Sequence, residues 1–230
     1  MSSARLVSLT CLALSFATQA FAQSGAPMNI APPAAPASKA ISKQAPGAAP
    51  KVSLDPASAI AKANAYFNAN LTMVADFVQL SADGRRTGGT LYVQRPGKLR
   101  FEYARPATLE IIADGTSVAI RDRKLATQDV YFIGQTPLKF LLKDRIDIGR
   151  DTKVLDVRAD EKSVAILVED KATFGGTSRI RLVFDATTFN LKQWTVTDPQ
   201  GYETLVSLSN VDLAQKPDQA LFKINYEKFN

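Results

Sequence analysis

The sequence contains no histidine and only one cysteine, Cys11. The lack of histidine excludes histidine-based acid–base catalysis, cysteine-protease dyads and zinc sites with histidine ligands. A single cysteine also excludes a disulfide within the chain. Most common types of enzyme active site are therefore excluded. What is present is apolar: 46% of the 230 residues are hydrophobic, which is enough for one sizeable core and favours one packed domain.

Residues 1–22 have the features of a secretory signal peptide. Arg5 is followed by an apolar run from Leu6 to Ala17 and by small residues up to Ala22. The apolar run is shorter than the roughly 20 residues that span a bilayer, so a transmembrane anchor is less favoured. Cleavage before Cys11 with lipid attachment is a second, less favoured alternative. We therefore predict export of the chain, with residues 1–22 removed.

Residues 23–54 lack the side chains that build a core. They contain six of the twelve prolines and no aromatic residue. Ala, Pro, Ser, Gly and Lys dominate the segment. This composition predicts a disordered or polyproline-like tether ahead of a folded domain at residues 55–230.

The net charge of +6 belongs largely to the segments before this domain. Four of the 28 basic residues precede Asp55, whereas all 22 acidic residues lie at or after it. Residues 55–230 therefore carry a net charge of only +2. Binding of nucleic acid by the folded region is not favoured.

A helix is predicted first, over residues 56–70. Asp55 is placed as its N-cap and Pro56 at its first position, and Ile60, Ala63 and Phe67 recur at helical spacing. After residue 71 the apolar period changes to two and predicts strands separated by turn signals. The predicted strands are 73–81, 87–94, 98–104, 108–114, 117–122, 125–132, 152–159, 163–170, 178–185, 191–198 and 202–209.

The short connections between these strands predict one long, curved antiparallel sheet. Between residues 132 and 151, Leu138, Leu141 and Leu142 predict a short helix after a Thr136 cap and Pro137. The two helices are available to cover one face or one open end of the sheet. The alternation of residues does not decide between two alternatives for the inside of the sheet: a core filled by side chains, or an apolar ligand cavity.

Several segments resemble the LolA family, the bacterial periplasmic carriers of outer-membrane lipoproteins. They are FVQ at Phe77–Gln79, the Gly89-x-Leu91 step, RPGKLRFEYARP at Arg95–Pro106, DG at Asp114–Gly115, TPLKFLL at Thr136–Leu142 and TDPQG at Thr197–Gly201. The resemblance extends over essentially the whole folded region. It implies a mainly β fold, an unclosed antiparallel β-barrel of about eleven strands covered by a helical lid.

The resemblance also implies a function without catalysis. Such a carrier accepts a lipoprotein from an ABC-type releasing complex of the inner membrane, shields its acyl chains, and delivers it to a receptor at the outer membrane. We therefore expect a monomeric periplasmic chaperone that is not an enzyme, with no cofactor and no metal. Asp144 and Asp147 do not suggest a metal site, because no second acidic cluster accompanies them.

Site residues follow from the same resemblance. Arg95 is expected to latch the lid by hydrogen-bonding helix carbonyls; a solvated arginine beside a Pro-Gly turn is the alternative. For the cavity residues, ordinary core packing is the alternative, because alternation identifies only the face of the sheet. The residues expected to line the acyl-chain cavity are Phe77, Leu91, Phe101, Ile111 and Trp194. The residues expected to form the lid are Ile60, Phe67, Leu138, Leu141 and Leu142.

Two other functions are compatible with the same half-barrel fold. One is a periplasmic regulator that senses lipid or mislocalised lipoprotein and signals through a partner protein. The other is an outer-membrane receptor, which needs a lipidated N-terminal cysteine that the predicted mature chain lacks. We expect the carrier.

Overall fold

The computed structural model describes residues 54–173 and 175–226. The predicted signal peptide at 1–22, residues 23–53 of the predicted tether, and the last four residues of the chain lie outside the described residues. Within the described ranges, no helix has the length and apolar character needed to cross a membrane.

Eleven strands form one antiparallel sheet in the described part of the chain. They are β1 (Thr72–Leu80), β2 (Arg86–Gln94), β3 (Lys98–Tyr103), β4 (Leu109–Asp114), β5 (Ser117–Asp122), β6 (Thr127–Phe132), β7 (Lys153–Ala159), β8 (Ser163–Thr173), β9 (Gly176–Asp185), β10 (Leu191–Thr197) and β11 (Glu203–Asp212). Their order is β6-β5-β4-β3-β2-β1-β11-β10-β9-β8-β7. Because β6 and β7 remain as edges, the sheet is unclosed, and the predicted fold class is confirmed.

The strand bounds differ from the predicted ones by at most three residues. One of the largest differences is at β8, which continues to Thr173. There the Thr173 hydroxyl donates to the Gly176 carbonyl at 2.6 Å and pairs with the Ser178 hydroxyl. These bonds extend the β8–β9 hairpin past the predicted strand end.

The core lies on the inner face of the sheet. Leu99, Phe101 and Tyr103 point inward along β3 and are almost fully buried, whereas Arg100 and Glu102 alternate with them on the outer face. The antiparallel register places Leu91, Phe101 and Ile111 opposite one another on adjacent strands. One side of the sheet is therefore apolar across many strands, as the alternation predicts.

Helix α1 (Pro56–Ala69) begins as predicted. The Asp55 carboxylate accepts a hydrogen bond from the Ser58 backbone N–H at 3.1 Å, and Pro56 occupies the first turn. Ala59, Ala63 and Phe67 are its buried residues. The helix ends one residue before the predicted boundary.

The mid-chain segment, residues 133–151, is more broken than the single predicted helix. It contains a 3-10 helix (Ile133–Gln135), α2 (Lys139–Leu142) and α3 (Ile148–Asp151). The predicted Thr136 cap is wrong: the Thr136 hydroxyl donates backward to the Ile133 carbonyl, and α2 begins after Leu138 without a side-chain cap. Thr136 therefore closes the preceding turn and is not available to the next helix.

Candidate ligand cavity and lid

Helix α1 and the mid-chain segment, which together we call the lid, lie against one end of the inner face. Phe67 of α1 makes edge-to-face contacts with Phe140 of α2 and Phe184 of β9. Phe140 in turn contacts Trp194 of β10 edge to face. A continuous series of aromatic contacts therefore joins the lid to the sheet.

An apolar cavity of about 420 Å³ lies beside these contacts. Its wall combines inward side chains of β1, β3–β6, β10 and β11 with residues 135–138 of the lid. The volume lies within the range of small-molecule sites. Among the apolar wall residues are Phe101, Ile111, Val118, Trp194, Val206 and Leu138.

The structure separates the predicted cavity residues into two groups. Phe101, Ile111 and Trp194 line the cavity. Phe77 and Leu91 do not line it; they are 2% and 0% exposed and pack in the core beside it. Phe77 contacts the ring of Phe101 edge to face at 5.0 Å between centroids, so it supports the wall from behind.

The predicted lid residues all lie where the lid meets the sheet. Phe67, Leu141 and Leu142 are buried, and Ile60 and Leu138 are half-buried and pack against the core. Among these five, Leu138 alone contacts the cavity.

One polar pair stands at the cavity wall. The Tyr103 hydroxyl donates to the Gln79 side-chain oxygen at 2.8 Å, which links β3 to β1. Burial raises the pKa of the Tyr103 phenol far above its ordinary value and outweighs the opposing effect of the Gln79 hydrogen bond. The phenol is neutral at physiological pH, as an unshifted tyrosine would be, and adds no charge to the cavity wall.

Arg95 joins both parts of the lid to the β2–β3 turn. Its guanidinium donates to the carbonyl of Phe67, to that of Asn70 at 3.3 Å, and to that of Lys143 at 3.0 Å. The residue is only 6% exposed. Burial lowers the pKa of Arg95, and the Asp144 carboxylate opposes this shift. The fork of donors thus satisfies carbonyls that have no partner within a helix at the end of α1 and just after α2.

Gly97 completes the contact between this turn and α2. Its N–H donates to the Leu142 carbonyl at 2.8 Å. Its φ is +77°, and a Cβ at this position would lie 2.6 Å from the Gly115 Cα. Glycine is therefore required both by the backbone conformation and by the close approach of the neighbouring turn.

Two asparagines hold α1 to the first residue of α3 and to the loop before it. Asn68 accepts from the Ile146 N–H at 2.9 Å and donates to the Ile146 carbonyl at 2.8 Å. One turn earlier, Asn64 accepts from the Ile148 N–H at 2.9 Å. The two side chains replace backbone partners for a loop that belongs to no sheet. Helix α1 and residues 146–148 are therefore bonded into one unit of the lid.

A buried ion pair ties α2 to the sheet. Lys139 Nζ lies 2.8 Å from Oδ1 and 2.7 Å from Oδ2 of Asp170 in β8. The two side chains are 12% and 3% exposed. Because both charges are largely removed from water, each depends on the other for its stabilisation.

Sequence reasoning missed Asn64, Asn68, Lys139 and Asp170. The spacing of four between the asparagines on a predicted helix was a signal for a shared polar face. The partners of the two asparagines are about eighty positions away, however, and no local pattern indicates such contacts.

No group of three or more potential metal ligands occurs among residues 54–173 and 175–226.

Comparison with known proteins gives the family. The family model "Outer membrane lipoprotein carrier protein LolA" matches residues 69–225. An outer-membrane lipoprotein carrier protein of Dechloromonas aromatica is 27% identical over 176 residues, covering 73% of this chain and 83% of that protein. One from Methylococcus capsulatus is 26% identical over 169 residues, covering 70% and 80% respectively.

Among solved structures, a LolA superfamily protein from Nitrosomonas europaea matches with a TM-score of 0.43 and 10% identity. The match covers 76% of this chain and 100% of that one. The family model covers well over half of the chain, including β1–β11 and the whole mid-chain segment of the lid. The chain therefore belongs to the LolA family of outer membrane lipoprotein carrier proteins.

Proposed function

We propose that the protein is a periplasmic chaperone that binds the acyl chains of lipoproteins and carries them from the inner to the outer membrane. The observation that supports this most strongly is the apolar cavity of about 420 Å³, whose wall includes residues 135–138 of the hydrogen-bonded lid. Phe101, Ile111 and Trp194 provide its acyl-chain surface. The chaperone acts by binding alone and performs no catalysis.

The physical need for such a cavity is large. Each methylene transferred out of an apolar environment costs about 0.8 kcal/mol, so one long acyl chain is worth roughly 10 kcal/mol. A lipoprotein does not cross an aqueous compartment unaided at that cost. An apolar wall offsets the cost during transit, while delivery requires that the bound state be weakened at the destination.

The lid meets the second requirement in this proposal. Arg95 is the latch of the closed state, since it holds the end of α1 and the residue after α2 to one turn. Ile60, Phe67, Leu138, Leu141 and Leu142 provide the apolar underside that cargo displaces. Loading then opens the latch, and release allows it to close again.

The proposed partners follow from the family. An ABC-type lipoprotein-releasing complex of the inner membrane supplies the cargo, and a lipoprotein receptor at the outer membrane accepts it. The carrier works as a monomer in the periplasm after cleavage of residues 1–22. It needs neither cofactor nor metal.

Filling the cavity tests the proposal. Val196 lines the cavity from β10 and is half-buried. We expect Val196→Trp to abolish uptake of an apolar fluorescent probe and the transfer of a triacylated lipoprotein, because the indole occupies the volume that the acyl chain needs. Probe fluorescence and an in-vitro lipoprotein-release assay are the measurements.

Val183→Trp is the matched control. Val183 is also half-buried but lies on the outer face of β9, directly opposite Gln193. It should leave uptake unchanged, and circular dichroism should show that both variants are folded. Full probe uptake by Val196→Trp would contradict the assignment of this cavity as the acyl-chain site.

A further inference from the structure

One end of the sheet carries a cluster of basic turns that the cavity does not explain. Strands β1, β3 and β5 end there, and β2, β4 and β6 begin. We define the basic rim as residues 80–86, 104–108 and 122–126. It contains five basic and two acidic residues, a net charge of +3, whereas all of residues 55–230 sum to only +2. The excess positive charge of the folded region is thus concentrated in these turns.

Most of the rim's basic groups are directed to solvent. Arg86, Arg105, Arg123 and Lys124 are exposed. None of the four has an ion-pair partner within 4 Å among the residues that the structure describes. Arg85 is the exception, since it pairs with Asp83.

The acidic groups near the rim already have hydrogen-bond or ion-pair partners. The Asp122 carboxylate accepts from the backbone N–H groups of Lys124 and Leu125 and from the Thr108 hydroxyl. Just outside the rim, Glu102 and Glu110 share a pocket with Arg105 and Arg123. Both glutamates lie within ion-pair distance of Arg100, at 3.7 and 2.6 Å.

Exposed leucines accompany this charge. Leu125 is 67% exposed at the tip of the β5–β6 turn, directly after Lys124, and Leu80 is 43% exposed at the end of β1. Single apolar side chains between cations suit a lipid surface, because the cations attract anionic headgroups while the leucines enter the acyl boundary. A stable protein interface would instead need one contiguous, desolvated apolar centre.

The basic rim also lies next to the apolar cavity. A second cavity, of about 480 Å³, has Arg85, Lys124 and Leu125 in its wall. It shares Gln79, Tyr103 and Leu109 with the apolar cavity. The two cavities therefore adjoin each other at the hydrogen-bonded pair of Tyr103 and Gln79.

We propose that the basic rim docks the protein on an anionic lipid bilayer, with the second cavity toward the membrane. This proposal goes beyond the carrier function, because it concerns the surface to which the protein binds with or without cargo. Binding is electrostatic in origin, so it disappears at about 1 M salt, where the Debye length is about 3 Å. It does not depend on cargo.

The test is flotation of the purified, cargo-free protein with vesicles. We expect binding to vesicles of phosphatidylcholine mixed with phosphatidylglycerol, and none to phosphatidylcholine alone. Each basic residue near an anionic surface is worth about fivefold in affinity, so Arg123→Gln/Lys124→Gln should bind about 25-fold more weakly. Leu125→Ser should bind about tenfold more weakly.

The control pair is Lys162→Gln/Lys216→Gln. Both residues are exposed, and they lie after β7 and β11, at the opposite end of the sheet. They should leave vesicle binding unchanged, as should the cavity variant Val196→Trp, so docking and acyl-chain binding can fail separately. No binding to anionic vesicles, equal binding by both glutamine pairs, or cross-linking of the rim only to a membrane protein would overturn the proposal.

Discussion

Asp170→Ala is expected to lower the free energy of unfolding by about 3–5 kcal/mol, because it leaves the Lys139 ammonium buried without its counter-charge. Lys139 is only 12% exposed, and both carboxylate oxygens of Asp170 lie within 2.8 Å of its Nζ. The Asp170 carboxylate also accepts from the Ala172 N–H at 2.9 Å. Urea denaturation followed by tryptophan fluorescence measures the loss, since Trp194 is buried in the same core.

Two comparisons separate a buried-charge effect from a general loss of contacts. Asp156→Ala breaks an ion pair of similar length with Arg158, but these side chains are 39% and 77% exposed, so the cost should be about 0–1 kcal/mol. The double variant Lys139→Met/Asp170→Leu removes both charges and should recover most of the stability. If Asp170→Ala costs no more than Asp156→Ala, the pair does not fasten α2 to the sheet.

Arg95→Leu should leave the protein folded and shift the lid toward its open state. The substitution removes the donors to the carbonyls of Phe67, Asn70 and Lys143. The net loss of one hydrogen bond from a charged donor is worth about 1.5–3 kcal/mol, which corresponds to about a 10- to 150-fold shift of the lid equilibrium. We therefore expect tighter binding of an apolar probe and slower release to an acceptor, both by about that factor.

Stopped-flow fluorescence of probe release into acceptor vesicles gives the release rate, and equilibrium titration gives the affinity for the probe. Arg95→Lys keeps the positive charge but provides a single ammonium in place of the planar fork, so it should be intermediate. Arg179→Leu, at an exposed position on the outer face of β9, is the control and should change neither quantity. Unchanged affinity and release rate in Arg95→Leu would remove Arg95 from the latch role.

The strands were predictable because their signal is local. Apolar and charged residues alternate at Leu99–Glu102, and that period alone identifies a strand and its inner face. The pairing of β1 with β11 was not predictable in the same way, because it joins segments more than a hundred residues apart. The resemblance to a known family, and not the periodicity, indicated an unclosed barrel.

Local pattern also does not identify which single residues line the cavity. Phe77 and Phe101 both alternate inward, yet only Phe101 reaches the cavity, because Phe77 lies behind it at 5.0 Å between ring centroids. Alternation identifies the face of the sheet and carries no information on how deep the opposing layer lies. For Arg95, sequence indicated a Pro-Gly turn, whereas its carbonyl partners depend on how α1 and the mid-chain segment fold back over that turn.

The most direct test of the proposed function is site-specific photo-crosslinking in the native bacterium. Ile120 lines the cavity and is 36% exposed, and Val130 on the neighbouring edge strand is 44% exposed but faces outward. A photoreactive residue at Ile120 should form adducts with lipoproteins, and these should vanish when the cargo lacks its acylated cysteine. The same residue at Val130 should form few. Equal adducts at both positions, or adducts at Ile120 that do not depend on acylation, would contradict an acyl-chain cavity.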